Sequence, residues 1–185
     1  MDNICESCPL RLYNIKGHNI SGVGNALYGN CIVVPNVDYI AYKHNNMGFS
    51  TQVKIIEECI SLITGVQDST IYVVPLIRCN ESISCDITND IINKCLYFLK
   101  QDIKKYDFKN ILLLGNAVRR FLNIDIKNNI NNLYISDNNR RYYVNYSPLV
   151  KYTNDELFED FKINLQKWYN AINTKSYNNY LHIKI

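Results

Sequence analysis

No apolar run in the sequence approaches the length of a membrane span, so no transmembrane helix is predicted. Acidic residues and cysteines interrupt the first residues, and we therefore expect no secretory leader. Internal repeats and an interdomain linker are also absent from the sequence. Its 185 residues, 47% hydrophobic and 20% charged, are typical of one globular domain spanning residues 1–185.

A strong charge of either sign is missing as well. The net charge of +3 permits nucleic acid as a partner but does not require it. Seven cysteines are an odd number, and without a leader they do not predict a disulfide framework. We expect an intracellular reducing compartment, cytoplasm or nucleus, where clustered cysteines serve as metal ligands, redox centres or small buried side chains.

Apolar runs and helical spacing alternate along the chain. Four apolar runs predict buried strands over residues 30–34, 70–77, 109–115 and 140–148. Apolar positions at helical spacing predict helices over residues 49–64, 89–106, 116–123 and 153–173, with Ser50 or Thr51, Thr88 and Thr153 as caps. Residues 36–46 are predicted as loop, and residues 124–139 as loop with an edge hairpin. This alternation predicts an α/β domain with helices on both faces of a mostly parallel sheet.

Ligands of such sheets bind beyond the carboxyl ends of the strands. Those ends are predicted at residues 35–39, 78–79, 115–116 and 147–148.

Four cysteines have a spacing that suits metal ligands. Cys5 and Cys8 form C-x2-C, and Cys79 and Cys95 form C-x15-C. Four thiolates can hold an iron–sulfur cluster or a structural zinc, and the wide second pair favours iron–sulfur. Cys85 is a spare candidate. The spacing alone fits scattered cysteines equally well, and Cys31 and Cys59 are predicted to pack in the core.

The segment CESCPLR is similar to the C-x-x-C-P-L signature that opens the family 4 uracil-DNA glycosylases. Five further segments resemble motifs of that family in the same order: GVGNA, GFST, LIRCNESISCDITNDIINKC, ILLLGNAVRRFL and VNYSPLV. The resemblance covers nearly the whole chain, and the four-cysteine spacing is its specific part.

The resemblance implies a single-domain, three-layer α/β/α uracil-DNA glycosylase-like fold with a central, mostly parallel four-stranded sheet. It implies a structural [4Fe-4S] cluster on the four cysteines, with zinc as the alternative. Members flip uracil out of DNA and hydrolyse its N-glycosidic bond, recovering the cost of unstacking in the base pocket. The expected partners are single- or double-stranded DNA and a replication or repair protein. A monomer without membrane contact is expected.

The catalytic motifs depart from the family pattern. Its G-E-A-P-G segment corresponds to VPNVD here, which implies that Asn36 takes the water-positioning place of related glycosylases or, with the register shifted by one residue, the place of the Glu. Asp38 is a candidate general base, although an ordinary Asx-turn also explains both residues. Phe49 matches the phenylalanine that stacks on the flipped base, with core packing as the alternative.

Two further positions of the base pocket have changed. The histidine that stabilises the leaving uracil anion corresponds to Ser147, whose hydroxyl carries no positive charge. The asparagine that contacts the uracil edge corresponds to Pro75, which has no donor. His44, in the loop before Phe49, can reach the pocket. The remaining residues expected around the base are Pro35, Gly48 and Pro148.

Basic side chains and strand ends provide a predicted DNA-binding surface. Its proposed members are Gly115, Asn116, Arg140, Arg141 and Lys151. Arg78, Arg119 and Arg120 are near the same predicted edge, where a solvated helix face explains the last two equally well.

Three functions remain open. The first is hydrolysis of uracil or a related flipped base from DNA. The second is a catalytically inactive glycosylase-fold module that binds DNA or a protein partner as an accessory factor in replication or repair. The third is a glycosylase with a changed base specificity.

Overall fold

The computed structural model describes residues 3–14, 19–65, 70–81, 86–130, 132–136, 139–174 and 180–183. The strands within these ranges are β1 Val23–Gly24, β2 Asn30–Val37, β3 Ile71–Asn80, β4 Asn110–Leu114, β5 Leu133–Ser136, β6 Arg141–Asn145 and β7 Tyr180–Ile183. The α-helices are α1 Asn3–Glu6, α2 Pro9–Tyr13, α3 Tyr39–His44, α4 Thr51–Thr64, α5 Asn89–Lys105, α6 Asn116–Leu122 and α7 Asp155–Thr174. Short 3₁₀ turns are Ala26–Tyr28, Met47–Phe49 and Pro148–Tyr152.

The seven strands within the described ranges form one mixed sheet in the order β1-β3-β2-β4-β6-β5-β7. Its four central strands, β3, β2, β4 and β6, are mutually parallel. At the edges, β1 pairs antiparallel with β3, and β5 pairs antiparallel with β6 and parallel with β7. The predicted α/β class is confirmed. The predicted size of four strands is wrong, because short edge strands extend the sheet on both sides.

Side chains that alternate along β2 build two separate cores. Cys31 and Val33 pack in a cluster with side chains of α5 and α6, whereas Ile32 and Val34 pack with α4 and α7. Successive side chains of a strand point to opposite faces, so these two clusters put helices on both sides of the sheet. The result is a three-layer α/β/α arrangement.

The predicted capping side chains are found at the starts of α4 and α5 but not at the start of α7. Ser50 Oγ accepts hydrogen bonds from the backbone N–H groups at the start of α4, and Thr88 Oγ1 does the same for α5. The predicted cap Thr153 is wrong. Asn154 Oδ1 accepts from the Leu157 N–H at 2.9 Å, because Thr153 instead ends the preceding 3₁₀ turn.

The segment after β2 also differs from the prediction. β2 does not end before Pro35 but continues to Val37, and α3 replaces the predicted loop. Pairing of β2 with β4 ends at Val33, so a residue without an N–H donor is tolerated beyond that point. α3 has only six residues, too few for helical periodicity to be evident.

No helix within the described ranges combines the length and the apolar composition that crossing a bilayer requires.

Candidate functional site at the carboxyl edge of the sheet

The ends of three parallel strands meet at Gly115. This residue has a positive φ of 51°, and a Cβ added to it would lie 2.9 Å from Ser147 Cβ and 3.4 Å from Pro35 Cγ. Glycine is therefore required both by the backbone conformation and by the close approach of its neighbours. The structure thus brings Pro35, Gly115 and Ser147 together at the edge where the sequence predicts a site.

Asn36 lies at the same edge and is held by Gln52 from the first turn of α4. Gln52 Nε2 donates to the Asn36 backbone oxygen at 3.0 Å and to its Oδ1 at 3.3 Å. The Gln52 side chain is completely buried, whereas Asn36 is half-buried. The buried Gln52 side chain therefore fixes the position of the Asn36 side-chain amide at this edge.

Asp38 joins the starts of two helices. Its Oδ1 accepts from the Ala41 N–H at 2.9 Å and caps α3. Its Oδ2 accepts from Ser50 Oγ at 2.6 Å and from the Gln52 N–H at 3.4 Å. These three hydrogen bonds give the carboxylate a structural role that is separate from proton transfer.

Phe49 is not a core residue. Its side chain is 44% exposed, at the end of the 3₁₀ turn that precedes α4. The ring stacks on the exposed His44 imidazole with centroids 4.3 Å apart and planes 19° from parallel. The neighbouring Gly48 is exposed, and its N–H donates to Asn46 Oδ1 at 2.8 Å. An aromatic face is therefore available close to the end of β2.

Ser147, Pro148 and Pro75 are less exposed than Phe49. Ser147 Oγ caps the following 3₁₀ turn by accepting from the Leu149 N–H at 3.3 Å. Its hydroxyl proton remains available to donate to another acceptor. Pro148 is buried, and Pro75 is buried inside the sheet opposite Val34. Pro75 therefore packs within β3 rather than projecting from the strand end.

The predicted DNA-binding residues fall into two groups. Gly115 and the exposed Asn116 lie at the carboxyl edge, and Lys151 lies in the turn after Ser147. Arg141 begins β6 and Arg140 directly precedes it, so they lie roughly 20–23 Å of extended chain from Ser147. The structure therefore does not bring these two arginines to the candidate site.

Arg140 and Arg141 have local partners at that opposite edge. Arg140 Nη2 lies 3.7 Å from Asp107 Oδ1, and Arg141 Nη1 donates to Asn110 Oδ1 at 3.1 Å. The separation of these arginines from the site was predictable, because the strand predicted over residues 140–148 places Arg140 and Ser147 at opposite ends.

Most basic side chains near the site are also engaged by acids. Arg78 is buried, paired with Asp102 and stacked over the Phe98 ring. Arg120 Nη1 lies 2.5 Å from Glu81 Oε1, and Lys151 Nζ lies 2.8 Å from Glu58 Oε2. Arg119, in contrast, is exposed on α6. The positive surface here is smaller than the count of basic residues indicates.

Three of the four predicted ligand cysteines lie in the core on the sheet face that carries α5. Cys8, Cys79 and Cys95 belong to one buried cluster, and Cys5 is partly exposed nearby. Burial raises the pKa of Cys79 to about 11 and that of Cys95 to about 12. Electrostatic repulsion from Cys5 and Cys8 adds to the rise of both pKa values.

The four thiols are of the donor type that a metal centre uses, but within the described residues they are not arranged as a metal site. Four thiols from three distant segments are the ligand set of iron–sulfur clusters and of structural zinc. Burial disfavours the thiolate form of Cys79 and Cys95, so a metal centre would have to supply the positive charge that stabilises thiolates here. Among the residues that the structure describes, no three Cys, His, Asp or Glu side chains are arranged tightly enough to hold a metal ion.

The other cysteines are accounted for differently. Cys31 and Cys59 are buried in the two cores, which confirms their predicted packing role. The spare candidate Cys85 lies outside the described residues.

A pair of asparagines ties the N-terminal segment to the end of β3. Asn14 Nδ2 donates to the Leu10 backbone oxygen at 2.7 Å, and Asn14 Oδ1 accepts from the Asn80 N–H at 2.8 Å. Asn80 Nδ2 in turn donates to the Val37 backbone oxygen at 3.2 Å. No sequence pattern predicts this anchor, because asparagine is abundant throughout the chain and belongs to no motif here.

No known family model matches the chain, and no curated protein is significantly similar to it in sequence. The chemistry of the site therefore has to follow from its own residues. Those that converge at the carboxyl edge are Asn36, Phe49, Gly115 and Ser147.

Proposed function

We propose that the chain is a uracil-DNA glycosylase-like protein that binds DNA and hydrolyses the N-glycosidic bond of uracil or of a related flipped base. The observation that carries this proposal is the exposed Phe49 ring at the edge where the half-buried Asn36 also lies. Four adjacent parallel strands between two helical layers are compatible with the uracil-DNA glycosylase-like layout.

In this proposal Phe49 is the platform for the flipped base. Stacking of a base on an aromatic side chain contributes about 1–3 kcal/mol, which is comparable with the few kcal/mol that unstacking from DNA costs. His44 covers one face of the ring in the free protein. The base therefore either displaces His44 or takes the opposite face.

Hydrolysis adds water across the bond between C1′ and the base nitrogen. The water oxygen bonds to C1′ and loses a proton to solvent, the bond to nitrogen breaks, and the base leaves with the bonding electron pair and takes up a proton from solvent. Asn36 is the polar side chain that meets the incoming water or the base, and Ser147 Oγ can donate one hydrogen bond to the leaving anion. A neutral donor stabilises this charge less than a cation would, so we expect slow turnover.

The four cysteines have a structural part in the proposal. Cys5, Cys8, Cys79 and Cys95 would hold a [4Fe-4S] cluster, with a structural zinc as the alternative. Either centre would fasten the N-terminal segment to β3 and α5, beside the Asn14–Asn80 anchor. No step of the hydrolysis requires it.

A second candidate function is an inactive module that binds DNA, or a replication or repair protein, through the same surface. Two observations favour it. The Asp38 carboxylate accepts three hydrogen bonds within the fold, and the Ser147 hydroxyl caps a turn. Both groups therefore have structural roles that would be kept without catalysis. Under either function we expect a monomer inside the cell, in the cytoplasm or nucleus.

Incubation of metal-loaded protein with uracil-containing oligonucleotides, single- and double-stranded, distinguishes the two functions. A glycosylase converts uracil sites to abasic sites, and the Asn36→Ala variant should be much slower. An inactive DNA-binding module yields no product at enzyme excess but binds DNA with an affinity that falls steeply as salt rises. Absence of both product and binding at low salt would refute the DNA-directed proposals.

A further inference from the structure

The contact between Gln52 and Asn36 determines which atom Asn36 offers to a ligand. The backbone oxygen of Asn36 only accepts hydrogen bonds, so the Gln52 group 3.0 Å from it must be the donor Nε2. The same Nε2 lies 3.3 Å from the Asn36 side-chain amide. Two NH₂ groups would face each other if that amide were reversed, so Oδ1 is the atom turned towards Gln52.

The Nδ2 of Asn36 is consequently turned away from the protein. It has no hydrogen-bond partner among the described residues, and it is not one of the side-chain atoms buried without a partner. Since Asn36 is half-buried, its NH₂ group reaches solvent at the carboxyl edge of the sheet.

Gln52 makes these contacts at a cost. Its side chain is completely buried, and its Oε1 has no hydrogen-bond partner within the described residues. A buried acceptor without a partner destabilises the fold, so packing alone does not explain an amide here. The favourable polar contacts of this side chain are its two hydrogen bonds to Asn36.

We infer that Gln52 is a positioning residue that holds Asn36 as a hydrogen-bond donor, so that the site selects a carbonyl oxygen over an amino group on the bound base. This inference rests on the proposed function. Uracil and cytosine differ at position 4 of the pyrimidine ring, where uracil carries a carbonyl oxygen and cytosine an amino group. Pro75 offers no donor for this purpose, and the fixed Asn36 amide supplies one.

The orientation is tested on the wild-type protein without any substrate. In side-chain amide NMR spectra of ¹⁵N-labelled protein, the Gln52 NH₂ protons should exchange slowly with solvent and those of Asn36 rapidly. Gln52→Met keeps the side-chain volume but removes the donor, so the Asn36 signal should shift in that variant. Protected Asn36 protons, or an Asn36 signal that Gln52→Met leaves unchanged, would overturn the inference.

Selectivity is tested by competition between single-stranded oligonucleotides that differ in one uracil or cytosine. The wild type should prefer uracil by about tenfold, and Gln52→Met should lose most of this preference, because a hydrogen bond of this kind decides it. Gln52→Glu presents a carboxylate that draws Asn36 Nδ2 inward, so the preference should move towards cytosine. Gln166→Glu, on the exposed face of α7, is the matched control and should retain the wild-type preference.

The outcomes separate this inference from the proposed function. If uracil is preferred and Gln52→Met leaves the preference unchanged, the inference is wrong while the function stands. If neither base binds but the exchange pattern is as expected, the donor orientation is upheld and base binding fails.

Discussion

Asp38 is the residue for which a structural and a catalytic role make opposite predictions. Its carboxylate accepts hydrogen bonds from Ala41 N–H, Ser50 Oγ and Gln52 N–H, at 2.9, 2.6 and 3.4 Å. A general base would instead need an oxygen free to take a proton from water. We expect the structural role to dominate.

The expected size of the effect follows from these contacts. Loss of an N-cap costs about 1 kcal/mol, and loss of a hydrogen bond to a charged group about 2 kcal/mol. Asp38→Ala should therefore lower the free energy of unfolding by about 3 kcal/mol. For a chain of this size that corresponds to a drop in Tm of roughly 6–12 °C. Asp38→Asn keeps one acceptor oxygen and should cost about 1 kcal/mol.

Urea unfolding measures the stability, and release of uracil from DNA measures the activity of the same variants. Asp160→Ala, an exposed carboxylate within α7, is the control and should change stability by less than about 0.5 kcal/mol. Asp38→Asn should retain most of the wild-type activity. A stable Asp38→Asn protein whose rate falls by about a hundredfold or more would identify Asp38 as the base and refute the structural role.

Three further outcomes are expected. Phe49→Leu should weaken binding of uracil-containing single strands by about tenfold in fluorescence anisotropy with little loss of stability, because the ring is exposed; equal affinity would contradict the stacking role. Arg78→Met should cost about 3 kcal/mol in urea unfolding by leaving Asp102 unpaired, and Arg78→Met with Asp102→Leu should recover much of it; an additive loss would refute the coupling. Burial raises the pKa of Tyr142 to about 12, so stability should fall as pH rises from about 10 towards 12, where the unfolded chain ionises first; an equal fall in Tyr142→Phe would rule this tyrosine out as its source.

The central fold was predictable because its strands are buried on both faces. β2 and β4 appear in the sequence as continuous apolar runs, which is the pattern of interior parallel strands. β1 and β7 were not predictable in the same way. β1 has two residues, and β7 pairs with a strand more than forty residues earlier, so neither produces a local signal.

The candidate site was predictable only in part. Strand order and the glycine after β4 were enough to expect Pro35, Gly115 and Ser147 near one another, and the structure brings them into contact. Gln52 was missed, because a glutamine in the first turn of an amphipathic helix usually faces solvent. Its burial follows from packing of α4 against the end of β2, which no local pattern encodes.

The misplaced arginines have a different cause. Charge alone assigns Arg140 and Arg141 to the site, although strand direction puts them at the amino end of β6. Charge along the sequence is no guide to the face of the fold that it occupies.

Iron and acid-labile sulfide, measured per chain after anaerobic purification, test the central claim most directly. The claim is that Cys5, Cys8, Cys79 and Cys95 share one inorganic centre on a base-binding scaffold. We predict about four iron and four sulfide per chain in the wild type and in Cys59→Ala, with loss of both in Cys95→Ser. Zinc in their place would select the alternative centre. A colourless protein without iron, sulfide or zinc, whose four thiols are readily alkylated, would contradict the account.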